Sequence, residues 1–84
     1  MSKSVFTSQY DSLRALLVES RKGAGMTQSK LAECLGKPQS FVSKYERGER
    51  RLDVVEFLHV AFCVGIDGAD LVRRLAPVRN GIRK

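Results

Sequence analysis

Gln39, Ser40, Ser43, Lys44 and Arg47 share one side of the stretch GKPQSFVSKYERGERR, residues 36–51. On a helical wheel at ~100° per residue, Phe41, Val42 and Tyr45 gather on the other side, within an arc of ~100°. The polar side carries no carboxylate. A solvated helix face ordinarily mixes Glu with Lys, which pair at i,i+4. This one holds an amide and hydroxyls, which donate and accept, and cations, which only donate. Those groups match base edges and phosphates: Gln pairs bidentately with adenine, Lys reaches guanine O6 and N7, and Ser serves several partners. Taken alone, the same residues also suit an ordinary solvent-facing surface.

The segment before them narrows the choice. Ala32, Gly36 and Val42 stand in the pattern Ala-x3-Gly-x5-Val. Two helices that cross steeply at a tight turn need a small residue at closest approach, here Ala32. The turn needs a residue that tolerates positive φ, here Gly36. The second helix needs an apolar anchor, here Val42 with Tyr45. The pattern is that of a helix-turn-helix, whose second helix enters the major groove of DNA while the first crosses the backbone.

Periodicity supplies the supporting elements. A first helix is expected over 6–22, with Phe6, Tyr10, Leu13, Leu16 and Leu17 inward and Gly23 and Gly25 ending it. Thr27 is a good N-cap for the second helix, whose buried stripe is Leu31, Ala32 and Leu35. Pro38 suits the first turn of the third, which runs to about Arg47 before Gly48. Asp53 caps a fourth helix reaching Val64, with Val54, Phe57, Leu58, Ala61 and Val64 as its apolar face. Asp67 caps a short fifth helix through Leu75, with Leu71, Val72 and Leu75 apolar, and Pro77 closes it. The expected fold is all-α, five helices in one domain over residues 1–76. The basic segment 77–84 follows as a tail, either adding phosphate contacts or serving as solubility charge.

Bulk properties exclude other classes. With 84 residues, 43% of them hydrophobic, the chain is one small globular domain. Its net charge of +6 is unevenly spread. Residues 1–51 carry ten Lys/Arg and five Asp/Glu, residues 52–72 none and four, and residues 73–84 five and none. A basic balance favours polyanions without saying which. No apolar run approaches the ~20 residues of a membrane span, and MSKSVFTSQYDS lacks a signal core, so a cytoplasmic location is expected. Cys34, Cys63 and His59 do not make a zinc ligand set. The two cysteines are expected to be reduced and packed. No nucleophile–base set, phosphate-binding Gly loop or paired carboxylates are visible, so enzyme activity, a cofactor and a small-molecule ligand are not expected.

The run MTQSKLAECLGKPQSFVSKYERGERR, with LDVVEFLHVAFCVGID after it, resembles the phage-repressor/Cro-like, or XRE, helix-turn-helix family of bacteria and phages. The resemblance covers roughly residues 13–75. It is most specific at Thr27-Gln28, Leu31-Ala32, Gly36, Val42-Ser43 and Glu46-Arg47-Gly48. It implies a five-helix bundle of the lambda-repressor-like type with the motif in helices two and three. By position it also implies that Gln28 contacts a phosphate and packs near Gln39. Gln39, Ser40 and Lys44 would face base edges, with Ser43 beside them serving bases or backbone. Arg47, Arg50 and Arg51 would meet the sugar-phosphate backbone or the adjoining minor groove, and Arg21 and Glu46 match a buried ion pair of some members. Pro38 departs from the polar N-cap of many members.

Three further residues have two readings each. Phe41 with Tyr45 could stack on bases, but both lie on the core side of the wheel. His59 falls outside the main apolar face of its helix, as an ordinary surface histidine would. Phe62 also falls off that face, where it could join Leu58, Val55 and Val72 at a dimer contact or be partly covered. The expected function is a sequence-specific double-stranded DNA-binding transcriptional regulator, a repressor acting as a homodimer on a palindromic site. The alternative is a protein-interaction module of the same fold, an antitoxin or an adaptor for the transcription machinery. Such a module has no need of a carboxylate-free Gln/Ser/Lys/Arg face.

Overall fold

Most helix starts and stops among the described residues have a local cause. The computed structural model describes residues 5–76, with side chains from residue 8 onward, and contains five helices in that span: α1 Val5–Gly23, α2 Gln28–Leu35, α3 Gln39–Glu46, α4 Val54–Val64 and α5 Gly68–Leu75. Among the described residues there is no strand. The side chain of Phe6, Pro77 and the basic tail 77–84 lie outside the described residues.

The Thr27 side chain accepts from Lys30 N at 3.0 Å and caps α2. Gly36 ends α2 at φ +69, letting Gly36 N–H donate to Glu33 O and Lys37 N–H to Ala32 O, 3.1 and 3.0 Å. These are the paired bonds of a Schellman ending. Pro38 then occupies the N-cap of α3 and makes no side-chain cap bond. Asp53 and Glu56 form a reciprocal capping box at α4, 2.7 and 3.0 Å. Asp67 caps α5 through Ala69 N at 3.0 Å and Asp70 N at 3.4 Å.

The helices bury one shared core. Leu17, Leu31, Val42, Tyr45 and Val60 are fully covered, with Ala32, Phe57, Ala61, Val64 and Leu71 nearly so. α2 packs mainly on α3 and then on α4, while α1 braces α3, α4 and α5. α1 is further tied down by Gln9 Nε2 donating to Leu75 O at 2.7 Å, and by the Tyr10 hydroxyl accepting from Leu52 N at 3.0 Å.

Two expectations are corrected. In α4 the buried face is Phe57, Val60, Ala61 and Val64, whereas Val54 and Leu58 are exposed, at 73% and 48%. α4 is apolar nearly all round, so periodicity alone could not pick its inner face. Val72 of α5 is likewise exposed. Second, Cys34 and Cys63 are joined in a disulfide instead of packing as separate thiols, with Cα atoms 6.1 Å apart. The reason is topological: the last turns of α2 and α4 meet, which brings the Cα atoms within bridging range.

Candidate nucleic-acid interface

Ala32 is 3% exposed and Val42 fully covered, so α2 and α3 approach closely behind the Gly36 turn. Burying Val42 and Tyr45 points the opposite side of α3 outward. Gln39, Ser40 and Lys44 are exposed there, and Ser43 is half-buried, its hydroxyl donating to Ser40 O at 3.4 Å. Lys44 makes no ion pair among the described residues, although its charge helps hold the nearby Glu49 carboxyl below its ordinary value.

Behind this face runs a polar chain that starts in the core. The Arg21 guanidinium, 8% exposed, donates through Nε to Glu46 Oε2 at 2.7 Å and through NH2 to Glu46 Oε1 at 3.1 Å. Its third nitrogen reaches Met26 O at 2.7 Å. The hydrogen bond to Glu46 raises the Arg21 pKa further, against the opposing effect of burial. Gln28 Nε2 adds a bond to Glu46 Oε1 at 2.9 Å. Gln39 Nε2 then reaches Gln28 Oε1 at 3.4 Å, and Ser29 Oγ donates to Gln39 Oε1 at 3.0 Å. The half-buried Gln28 is thus engaged on both ends of its amide. Arg14 closes the far side, donating to Glu46 O at 2.7 Å and packing its guanidinium over Gly48, which sits at φ +82.

The core side of α3 holds Tyr45, whose hydroxyl is buried without a partner among the described residues. Burial pushes its phenol well above the ordinary range. Phe41 meets Tyr45 edge-on, with centroids 5.9 Å apart, but is only half-buried. Lys37 and Arg50 lie over its ring at 5.2 and 4.7 Å. Phe41 therefore does two jobs, core packing and the stacking of cations.

The three arginines after α3 are held differently. Arg47 pairs with Glu49 at 2.9 and 3.1 Å, both exposed. Arg50 pairs with Glu56 through two bonds of 2.9 Å. Arg50, helped by the Asp53 backbone N–H, pulls the Glu56 carboxyl down to about 2. Arg51 stacks over the Tyr10 ring at 4.3 Å and has no carboxylate partner among the described residues. Sequence reasoning missed Glu49 and Glu56 because neither lies on α3; the Asp53-x2-Glu56 box was the available signal for Glu56. It also missed Cys34–Cys63, although each cysteine stands two residues before a capping glycine, in Cys34-Leu35-Gly36 and Cys63-Val64-Gly65.

His59 and Phe62 are exposed on α4. Among the described residues no group of three or more His, Cys, Asp or Glu could hold a metal ion, and no helix is long and apolar enough to cross a membrane.

The α2–turn–α3 unit is a helix-turn-helix by geometry, and comparison agrees. Residues 17–58 match the helix-turn-helix family model of the Cro/C1 type. A solved XRE-family-like protein from Pseudomonas syringae pv. tomato str. DC3000 is similar at 48% identity and a TM-score of 0.82, over 84% of this chain and 87% of that one. No curated protein matches the sequence. The chain belongs to the XRE family of helix-turn-helix proteins, whose domain is a DNA-binding regulator fold.

Proposed function

We propose that this protein is a sequence-specific transcriptional regulator, a repressor that binds a near-palindromic operator as a homodimer. The observation that carries the reading is the outer face of α3, where Gln39, Ser40 and Lys44 are exposed and Gln39 is anchored from behind. α3 enters the major groove, where Gln39, Ser40 and Lys44 read base edges and Ser43 serves base or backbone. Gln28, Arg47, Arg50 and Arg51 meet phosphates and set the register. Arg51 is ready for that role, with no carboxylate to displace. Arg47 trades the exposed Glu49 for phosphate at little cost, whereas Arg50 has to leave the half-buried Glu56, which holds it through two bonds. The half-buried Gln28 contributes through its position at the start of α2.

The dimer reading is supported by apolar side chains left open on α4 and α5: Val55, Leu58, Phe62 and Val72 are 48–82% exposed. Two-fold symmetry then places half-sites about one helical turn apart. Residues 1–76 form the binding domain, and the basic residues of 77–84 follow it. A cytoplasmic location fits access to DNA, and the reading needs no cofactor.

The test is selection of bound duplexes from a random pool at ~150 mM salt. An enriched, near-palindromic motif is expected. Salt-labile binding without enrichment would remove sequence reading and leave the protein-interaction module as the function.

A further inference from the structure

The disulfide is out of place in a DNA-binding regulator acting inside a cell. Reducing compartments keep thiols apart, and the disulfides found there are mostly transient or redox-sensing. The setting of this one explains how it could be both formed and opened. Cys34 is exposed and Cys63 half-buried, so the bond lies at the surface. Beside it is a cavity of about 190 Å³, lined by the two cysteines with Leu35, His59 and Phe62. Phe62 is 82% exposed and gives that opening an apolar rim. A thiol can therefore reach the sulfurs without unfolding the domain, which a core disulfide would not permit.

The two cysteines also hold equivalent places. Each stands in the last turn of its helix, two residues before a left-handed capping glycine, Gly36 at φ +69 and Gly65 at φ +80. Helix C-termini disfavour negative charge, so a leaving thiolate gets no help from the helix dipoles here. Cysteine pairs that oxidise other proteins have the opposite setting, with the reactive sulfur at a helix N-terminus. The bond thus suits a clamp that is closed and reopened by other molecules. What it clamps is specific: α2, the first helix of the helix-turn-helix, is fastened to α4 immediately behind the Gly36 turn.

We propose that Cys34–Cys63 is a reversible thiol–disulfide exchange site, opened by a dithiol reductant and closed by a low-molecular-weight disulfide, that sets the stability of the helix-turn-helix. In opening, a thiolate of the dithiol attacks the accessible Cys34 sulfur. The Cys34–Cys63 bond breaks, a mixed disulfide forms at Cys34, and Cys63 leaves as a thiolate that takes a proton. The second thiol of the reductant then displaces Cys34, so the reductant ends as a cyclic disulfide and both cysteines as thiols. In closing, the Cys34 thiolate attacks the small disulfide and releases one half as a thiolate, and Cys63 then attacks the Cys34 sulfur of the mixed disulfide and releases the other. A monothiol is less effective, because Cys63 remains beside the mixed disulfide and re-forms the original bond. The reduced domain keeps its fold, since Leu31, Ala32, Val42 and Tyr45 bury α2 and α3 independently of the sulfurs. The biological setting rests on the DNA-binding reading; the chemistry does not.

The experiment uses the full chain, purified without reductant. Thiol alkylation with mass spectrometry is run before and after dithiothreitol, without denaturant, and thermal melts are recorded in parallel. Blocked cysteines are expected at first, and full alkylation afterwards. The bond closes a loop between residues 29 apart, so opening it should lower the melting midpoint by on the order of 10–20 °C. Glutathione disulfide should restore both readouts, and Cys34→Ser and Cys63→Ser should each melt at the reduced midpoint under all conditions. The proposal is overturned if both cysteines alkylate without reductant, if the bond opens only in denaturant, or if opening leaves the midpoint unchanged. Titration of the selected duplex with both forms, below the reduced midpoint, is a separate arm: its failure counts against DNA reading alone.

Discussion

The outer faces of α3 and α4 are opposites. On α3 the exposed residues are polar, and Gln39 is braced through Gln28 to a buried ion pair. On α4 the exposed residues are mostly apolar, Val54, Val55, Leu58 and Phe62 beside His59. On the proposed function, the contrast separates two kinds of recognition surface. A face that discriminates by hydrogen bonds needs its donors held at fixed angles. A face that associates by burying apolar area needs only shape and exposure, because that force is non-directional.

The contrast can be broken by substitution, starting with the largest effect. Val42→Asp puts an unpaired charge into the core and should abolish the cooperative melt, since burying an ionised group costs far more than a small domain's stability margin. Val54→Asp, a similar change on the exposed face of α4, should melt within about 0.5 kcal/mol of wild type. Circular dichroism melts decide between them, and equal losses would refute the assigned faces. Glu46→Ala leaves the Arg21 guanidinium buried without its partner and should cost about 3–5 kcal/mol. The double substitution Arg21→Met with Glu46→Met should recover much of that loss. A single-variant cost below 1 kcal/mol, on the order of a surface pair, would show that the pair is effectively solvated.

Val60→Ala should cost about 2 kcal/mol from lost burial and the cavity left behind. Val54→Ala should be near neutral, and denaturant titration of the two gives the sharper version of the α4 assignment. Lys44→Ala should leave stability alone and weaken the selected duplex by about 1–3 kcal/mol if it reads guanine. Arg51→Ala should weaken all duplexes alike and reduce the salt slope by about one. Binding isotherms over a salt series distinguish the two. The smallest effect is on pH. Glu56 is held at about 2, below its ordinary 4.5, by Arg50 and the Asp53 N–H. A depressed carboxyl stabilises the fold above its unfolded value, and that contribution disappears as pH falls from 4.5 towards 2. Glu56→Gln should therefore flatten the acid limb of a midpoint-versus-pH curve across that interval.

The same two helices show what could be read from sequence. α3 has one narrow apolar arc, and the burial of Val42 and Tyr45 follows from it. Caps and glycines gave the element boundaries nearly to the residue, because Thr27, Asp53, Asp67, Gly36 and Gly65 each act locally. α4 reads VVEFLHVAFCV, in which almost any arc is apolar. Choosing Val60 over Val54 and Leu58 depends on where α2 and α5 lie, which is tertiary information. The pairings of Arg50 and of the cysteines share that character. Each joins residues off the helix under scrutiny, so a wheel cannot display it.

The polar line from Arg21 to Gln39 also has a direction. A carboxylate only accepts, so Glu46 obliges Gln28 to turn its NH2 inward. The oxygen of Gln28 is then the only end left to face outward. That oxygen in turn obliges Gln39 to supply an N–H, which leaves the Gln39 oxygen towards Ser29. A side-chain amide is nearly symmetric in shape and could sit either way round. Here the orientation of an exposed amide is dictated two links away, by Glu46, which can only accept. Gln39 retains one hydrogen and one oxygen lone pair, in a fixed left–right order, and an order of that kind is what distinguishes adenine's N6–N7 edge from its mirror arrangement. Glu46→Gln would lift that constraint only at a cost in stability, because either end of its amide meets a donor of Arg21. On the proposed function, and below its lowered melting midpoint, that variant would show relaxed base preference at one operator position.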